Sequence, residues 1–234
     1  MSKNKKLTAE QKRLDADLWI IMLATFVVYG VYAVYSGPLR DYILDGSVPV
    51  LPRLLVNAGF QFGLAGLGIS IVCLLRCERF SKFGLVRKNA IKSILLTILC
   101  FLPYIICVFA FGQFEGYAPF SILVTKDVLA AGLPVAVLGM AIIIIVWGFF
   151  EGFNYAVIAD KINARYPTKH EWLDIGALVC ALVCLLFHPI STSAAGIADM
   201  ITTFAAIYGM LIVKKKTGCA WGCVFAFCFI WNAI

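Results

Sequence analysis

Charged residues are scarce in this chain. Only 14% of its 234 residues are Asp, Glu, Lys or Arg, whereas 62% are hydrophobic. A soluble domain cannot hide so much apolar surface from water. The sequence also lacks a linker, a low-complexity tract and an internal repeat after its first sixteen residues. We therefore expect one membrane-embedded domain over residues 17–234, preceded by a short basic segment over residues 1–16.

Cysteine motifs are absent as well. The nine cysteines lie almost entirely within apolar runs or at their ends, with no disulfide framework and no zinc-finger spacing. In such positions cysteine behaves as a small hydrophobic residue. Basic residues are spread among the loops without a recognition motif, so no nucleic-acid partner is predicted. No clear small-residue cleavage site follows the first apolar run, which favours a first span over a signal peptide.

Long apolar runs dominate what remains. Seven of them approach the length needed to cross about 30 Å of hydrocarbon as helices. They lie near residues 18–37, 54–75, 93–112, 133–160, 172–189, 199–213 and 219–234. The pattern predicts an all-α fold: a polytopic transmembrane helix bundle of about seven spans. Its first partner is the lipid bilayer.

The basic residues predict the orientation of the bundle. Of the 20 Lys and Arg residues, five lie in residues 3–13, six in 76–92, three in 161–169 and three in 214–216. With a cytoplasmic N-terminus, all of these loops face the cytoplasm, as the positive-inside rule requires. We expect a multi-pass protein of the cell membrane. The formal charge of +7 then reports orientation and contact with anionic lipid.

Two pairs of glycines stand four residues apart in the spans. Gly59 and Gly63 form one pair, and Gly148 and Gly152 form the other. Small residues at this spacing allow two helix backbones to approach closely. Glycine is also simply common in membrane helices. We predict close packing at both pairs.

Four polar residues in three spans fall at similar depths. Measured from the basic ends of their spans at 1.5 Å per residue, Glu151 lies about 18 Å deep and His188 about 24 Å. Cys228 lies about 14 Å deep and Asn232 about 20 Å. An acid inside a span indicates a functional site. Each residue also has a structural explanation: a protonated, hydrogen-bonded Glu151, an interfacial His188, a core Cys228 and a helix-capping Asn232.

Over residues 80–234 the chain resembles the CPBP family, the CAAX prenyl protease and bacteriocin-processing group of intramembrane endopeptidases. The resemblance implies a bundle of seven or eight helices. The family has three motifs: a Glu-Glu pair followed after three residues by Arg, a Phe-rich helix ending in His, and a His and an Asn four residues apart. Here FFEGFNYAVIADKI occupies the first position, CLLFHP the second, and the end of FAAIYGMLIVKKKTGCAWGCVFAFCFIWN the third. His188 matches the second motif and Asn232 matches the third.

The chain departs from two of the motifs. With Glu151 as the second glutamate, Phe150 replaces the first and Tyr155 replaces the arginine. With Glu151 as the first, Gly152 replaces the second and Ala156 replaces the arginine. Cys228 stands where the third motif has its histidine.

The resemblance implies a hydrolytic site. Glu151 would act as general base on a water, and His188 and Asn232 would stabilise the oxyanion of a peptide carbonyl. A zinc version would use His188 and Cys228 as ligands. The expected partner is a membrane-anchored or prenylated peptide. The alternative is a catalytically silent relative that binds a lipidated peptide, a hydrophobic ligand or a membrane partner. A transporter or channel is less favoured, because Glu151 and His188 form no ladder of ionisable residues.

Overall fold

The structure, a computed structural model, describes residues 6–170, 172–187, 191–231 and 233–234. Within these ranges the chain forms helices and no strand. The α-helices are α1 (Ala9–Leu44), α2 (Val50–Phe62), α3 (Gly68–Arg76), α4 (Ala90–Ala110), α5 (Thr125–Ala130), α6 (Val135–Ile143), α7 (Glu151–Arg165), α8 (Ile175–Leu186), α9 (Ala194–Thr217) and α10 (Trp221–Ala226). The predicted all-helical fold is confirmed.

Three π-helical turns join or extend these helices. Gly63–Leu67 connects α2 to α3, Ile144–Phe150 connects α6 to α7, and Phe227–Trp231 continues α10. A separate 3-10 turn covers Phe80–Phe83. The π-helical turns make continuous helices of 27 residues from Val50 to Arg76 and 31 residues from Val135 to Arg165.

Five of these helical segments are long and apolar enough to cross a membrane. They are Ala9–Leu44, Val50–Arg76, Ala90–Ala110, Val135–Arg165 and Ala194–Thr217. The other two predicted spans contain shorter apolar helices, Ile175–Leu186 and Trp221–Trp231. Their lengths correspond to about 18 and 16 Å at 1.5 Å per residue, less than the thickness of the hydrocarbon layer.

Local capping chemistry sets several helix ends. Thr8 caps α1. Its hydroxyl oxygen accepts a hydrogen bond from the Gln11 backbone N–H, and the side-chain oxygen of Gln11 accepts one from the Thr8 backbone N–H. This capping box starts the helix at Ala9, so helix extends into the predicted basic segment 1–16. The Asp174 side chain caps α8 at Ala177 N (2.7 Å). Gly218, with φ of +67°, ends α9 in the left-handed conformation that glycine tolerates.

The loops and helix ends rich in Lys and Arg meet at one end of the bundle, here called the basic end. Asn89 Nδ2 donates to the Thr217 carbonyl (2.9 Å), and Ser93 Oγ donates to that of Cys219 (2.8 Å). These bonds join the start of α4 to the loop between α9 and α10. Lys215 pairs with Asp174 (3.0 Å), and so brings the start of α8 to the same end.

A buried ion network links three more helices at the basic end. Lys161 of α7 contacts Asp17 of α1 (2.9 Å) and Glu78 after α3 (2.8 Å). Asp17 also accepts from Arg76 Nε (2.7 Å). The Lys161 and Asp17 side chains are 3% and 1% exposed. The network fixes α1, α3 and α7 relative to one another.

The other end of the bundle, here called the opposite end, is tied together by Arg53. This residue is 4% exposed. Its guanidinium donates to the carbonyls of Ile43 and Val48 (both 3.0 Å) and to Asp127 Oδ2 (2.9 Å). These bonds hold the α1–α2 loop and α5 against the start of α2. At the same end Ala118 N donates to the Ala233 carbonyl (2.8 Å), so the segment after α4 covers the end of the last helix.

Candidate functional site

Glu151 stands at a change of helix type inside a span. It is the first residue of α7, directly after the π-helical turn Ile144–Phe150. Its side chain is directed toward α2, where Gln61 Nε2 donates to Glu151 Oε2 at 3.0 Å. The carboxylate that the sequence singled out therefore has an amide partner on another helix. An amide donor fixes the direction in which the carboxylate points.

The three π-helical turns surround this pair. Gln61 lies two residues before the turn Gly63–Leu67, Glu151 follows the turn Ile144–Phe150, and Cys228 belongs to the turn Phe227–Trp231. The second turn packs against both others. A π-helical turn is rare and shifts the register of the side chains that follow it, and such turns are frequent at functional sites. Their convergence distinguishes this level of the bundle from the rest of it.

Close helix contact places Cys228 beside the turn that precedes Glu151. A Cβ at Gly148 would overlap the Cys228 sulfur. One turn further along, a Cβ at Gly152 would lie 2.5 Å from the carbonyl oxygen of Cys223. The prediction of close packing at Gly148 and Gly152 is confirmed. Cys228 and Glu151 thus lie on adjacent turns of one helix contact.

The other glycine pair behaves differently at its two positions. A Cβ at Gly63 would lie 2.8 Å from Val28 of α1, so close packing is confirmed there. At Gly59 a Cβ would meet nothing within 4 Å. The prediction is wrong for Gly59, because α1 reaches this part of α2 at Gly63 and leaves open space at Gly59.

Tyr155 is the residue that falls at the arginine of the family motif when Glu151 is taken as its second glutamate. Its ring stacks on Phe227 of the last helix, with centroids 5.3 Å apart. Its backbone carbonyl accepts from the Cys180 thiol in α8 at 3.8 Å. Tyr155 therefore joins α7 to the last helix by an aromatic contact.

Asp199 is a second acidic residue in this region. Its carboxylate and that of Glu151 both lie within electrostatic range of the Cys184 thiol. Asp199 also lies within electrostatic range of Tyr104, whose ring stacks on Trp231 at 5.4 Å. The sequence reasoning missed Asp199, although an acid near the start of a predicted span is itself a signal.

His188 and Asn232 lie outside the described residues. In the sequence His188 comes two residues after α8 ends at Leu186, and Asn232 directly follows the turn Phe227–Trp231. Their convergence with Glu151 stays a prediction. Among the residues that the structure does describe, no three His, Cys, Asp or Glu side chains form a group able to hold a metal ion. The described residues alone do not fit a zinc site, and zinc binding by His188 and Cys228 stays a prediction as well.

An apolar groove runs along the outside of the site. Its volume is about 390 Å³. It lies between α4, the turn Ile144–Phe150 and the last helix, and Ile94, Ile145, Phe149, Val224 and Cys228 are among its lining residues. The backbone of the turn Ile144–Phe150 separates this groove from the side of α7 that faces Gln61. The apolar lining of the groove suits a hydrocarbon chain.

Known proteins give no further guide to this site. A scan of protein-family models, a search of curated proteins and a search of solved structures each found no match for the chain. The resemblance to the CPBP family rests on the sequence motifs described above.

Gln61 was not a candidate in the sequence analysis. A signal was nevertheless present: Arg53, Asn57 and Gln61 recur every four residues in an otherwise apolar run. Such spacing places three polar side chains on one helix face. Asn57 and Gln61 lie outside residues 80–234, the part of the chain that the family resemblance covers.

Proposed function

We propose that this chain is a divergent CPBP-type intramembrane endopeptidase of the cell membrane. In this proposal it has about seven spans and a cytoplasmic N-terminus, and it cleaves a membrane-proximal peptide bond. One observation carries the proposal: the carboxylate of Glu151, inside an apolar span, is held by the Gln61 amide at a level where three π-helical turns meet. A carboxylate inside a membrane is expensive, and its retention favours a functional role.

The proposed chemistry uses groups of this chain. Glu151 takes a proton from a water molecule, which attacks the carbonyl carbon of the peptide bond, and then gives that proton to the amide nitrogen as the C–N bond breaks. The amide of Gln61 keeps the carboxylate pointed at that water. His188 and Asn232 are proposed to donate hydrogen bonds to the oxyanion, where one donor is worth about 100- to 1,000-fold in rate. The substrate is a membrane-anchored or prenylated peptide.

The proposal is tested with purified protein and a library of membrane-anchored peptides, some of them prenylated. We expect cleavage by the unmodified protein and a loss of at least 100-fold in Glu151→Gln. Glu115→Gln, which changes an exposed carboxyl in a loop, is the matched control and should cleave normally. Cleavage that survives Glu151→Gln would defeat the assignment. Zinc analysis of the same preparation, with and without Cys228→Ala, tests the predicted zinc ligands.

The apolar groove favours a second candidate function. Because the groove is separated from Gln61 and Glu151 by helix backbone, its occupant has no need to reach Glu151. The chain would then be a catalytically silent relative that binds a hydrophobic ligand, a lipidated peptide or a membrane partner. The missing glutamate and arginine of the first motif and the presence of Cys228 support this candidate.

Restoring the motifs separates the two candidates. The triple variant Phe150→Glu, Tyr155→Arg and Cys228→His rebuilds the family pattern. Activity in that variant, combined with none in the natural chain, supports the silent candidate. Measurable proteolysis by the unmodified protein, sensitive to Glu151→Gln, rules it out.

A further inference from the structure

A polar stripe on α2 leads to Glu151 from the opposite end of the bundle. Its members are Arg53, Asn57 and Gln61, spaced four residues apart on one helix face. Arg53 begins the stripe with its bonds to loop carbonyls and Asp127. Gln61 ends it with its bond to Glu151. A stripe of this kind on a membrane helix faces a polar partner or water rather than lipid.

The stripe passes through a pocket of about 510 Å³ at the opposite end. Asn57, Ser121, Ile122, Leu123 and Trp147 line this pocket. Its walls mix an amide and a hydroxyl with apolar side chains, and none of these lining residues is charged. That chemistry suits the backbone of an uncharged, extended peptide together with its hydration water.

The pocket lies one helical turn from the Gln61–Glu151 bond. Asn57 precedes Gln61 by four residues, and Trp147 precedes Glu151 by four. The helices α2 and α6–α7 both run from the opposite end toward the basic end. At 1.5 Å per residue Asn57 is therefore about 6 Å from Gln61 along α2.

Hydrogen bonds and an ion pair hold the rim of the pocket in place. Thr125 Oγ1 donates to the Phe120 carbonyl (2.7 Å) and accepts from Ile122 N (2.9 Å). The Arg53–Asp127 pair ties α5, which follows this turn, to α2. The pocket is thus a built part of the fold and not a gap beside a loose loop.

Aromatic rings pack around Phe153, which lies two residues from Glu151 toward the basic end. The Phe153 ring stacks on Phe149 at 5.4 Å and packs on Phe80 at 5.0 Å and Phe83 at 6.4 Å. Phe153 is fully buried, and Phe83 is 3% exposed. Beyond the rings stands the ion network centred on Lys161.

We propose that Glu151 is reached from the opposite end, through the pocket at Asn57 and Trp147, by water and an uncharged extended peptide segment. The identity of the peptide rests on the endopeptidase proposed above, whereas the route itself does not. If the basic end is cytoplasmic, the site receives its substrate from the non-cytoplasmic side. The route assigns Asn57 and Gln61 to substrate access.

Cysteine labelling tests the route without requiring catalysis. Cys77 is exposed at the basic end, whereas Cys100 is half-buried and the other seven cysteines are buried. A charged, membrane-impermeant methanethiosulfonate is added to sealed vesicles of either orientation, and Cys77 reports which end the reagent meets. We expect Asn57→Cys and Gln61→Cys to react from the side where Cys77 does not, with Asn57→Cys the faster. Gly59→Cys is the matched control.

Gly59 lies between those two positions in depth but is exposed, with nothing within 4 Å of a Cβ. In a bilayer its thiol would face lipid, where thiolate does not form, and we expect at least a tenfold slower reaction. The route is overturned if Gln61→Cys reacts from the Cys77 side, reacts from neither side, or reacts no faster than Gly59→Cys.

A second measurement uses the natural sequence and is independent of how Gln61→Cys folds. A water-soluble carbodiimide and an impermeant amine, added at the opposite end, should modify Glu151, and mass spectrometry locates the adduct. Modification only from the Cys77 side, or from neither side, overturns the route. Labelling as expected without any proteolysis would leave the route standing and remove the endopeptidase. Proteolysis that depends on Glu151, combined with labelling from the Cys77 side, would leave the endopeptidase standing and remove the route.

Discussion

Lys161 carries its charge into a part of the bundle where its side chain is only 3% exposed. Two carboxylates, Asp17 and Glu78, accept hydrogen bonds from it at 2.9 and 2.8 Å. Its ammonium also lies 5.5 Å from the centroid of the Phe83 ring. Buried charges of this kind contribute little net stability when paired, but an unpaired member is strongly destabilising. The network is therefore sensitive to the removal of one partner.

We predict that Lys161→Met lowers the stability of the protein by about 3 to 5 kcal/mol, because Asp17 and Glu78 are left buried without this cation. Lys82→Met is the matched control. Lys82 pairs with the same Glu78, but its side chain is 56% exposed, and exposed pairs contribute about 0 to 1 kcal/mol. Thermal unfolding in detergent measures both. Equal losses in the two variants would contradict a central role for Lys161.

Glu78 gives the network a pH dependence. Burial raises the pKa of this carboxyl, but the hydrogen bonds from Lys161 and Lys82 outweigh burial and leave the pKa below its ordinary value. A lowered folded pKa means that the stabilisation is present above the unfolded pKa and is lost as the pH falls through the folded one. We expect the unfolding temperature to fall as the pH decreases below about 4.5. Glu78→Gln should show a flatter profile over that range, and an identical profile would refute this assignment.

At the scale of elements, the π-helical turns decide where functional side chains point. Each inserts extra backbone into an apolar helix, so the face presented before the turn differs from the face presented after it. The turn that precedes Glu151 and the turn that contains Cys228 pack together.

We predict that Gly152→Ala destabilises the bundle by about 1 to 3 kcal/mol, the usual range for overpacking. The new methyl group would stand 2.5 Å from the Cys223 carbonyl oxygen and 3.0 Å from Val224 Cα, and both are backbone atoms that cannot rotate away. Gly59→Ala, where a Cβ meets nothing, should be neutral or stabilising by up to about 1 kcal/mol. Unfolding midpoints in detergent compare the pair. A neutral Gly152→Ala would contradict the close helix contact.

Apolar periodicity and length predicted the long helices well, because hydrocarbon thickness constrains a span from sequence alone. The π-helical turns were not predictable, since Gly63–Leu67 and Ile144–Phe150 carry no residue pattern that differs from ordinary membrane helix. The partner of Glu151 was missed for a related reason. Gln61 is 90 positions away in the chain, and its contact depends on how two helices pack. The spacing of Arg53, Asn57 and Gln61 marked the face but not what it meets.

For the whole molecule, the two short helices bear on the topology. The 12 residues of α8 and the 11 residues from Trp221 to Trp231 both leave the basic end and stop well short of a full crossing. The segment after α4 meets the second of these helices from the opposite end: Tyr117 Oη donates to the Phe229 carbonyl at 3.1 Å, and Ala118 N donates to that of Ala233 at 2.8 Å.

We predict that a reporter active only in the cytoplasm works when inserted after Lys169, at the basic end, and fails after Gly46 or Glu115, at the opposite end. The reason is that 17 of the 20 Lys and Arg residues lie in the N-terminal segment and the basic-end loops, and such loops are retained in the cytoplasm.

The decisive insertion follows Thr192, between α8 and α9. If the short α8 completes a crossing with its following loop, this reporter is inactive and seven spans are supported. Activity of the reporter after Thr192 would mean fewer than seven spans, because the chain would then leave α8 on the same side of the membrane as it entered. Inactivity after Lys169 would invert the molecule and place the pocket at the cytoplasmic face.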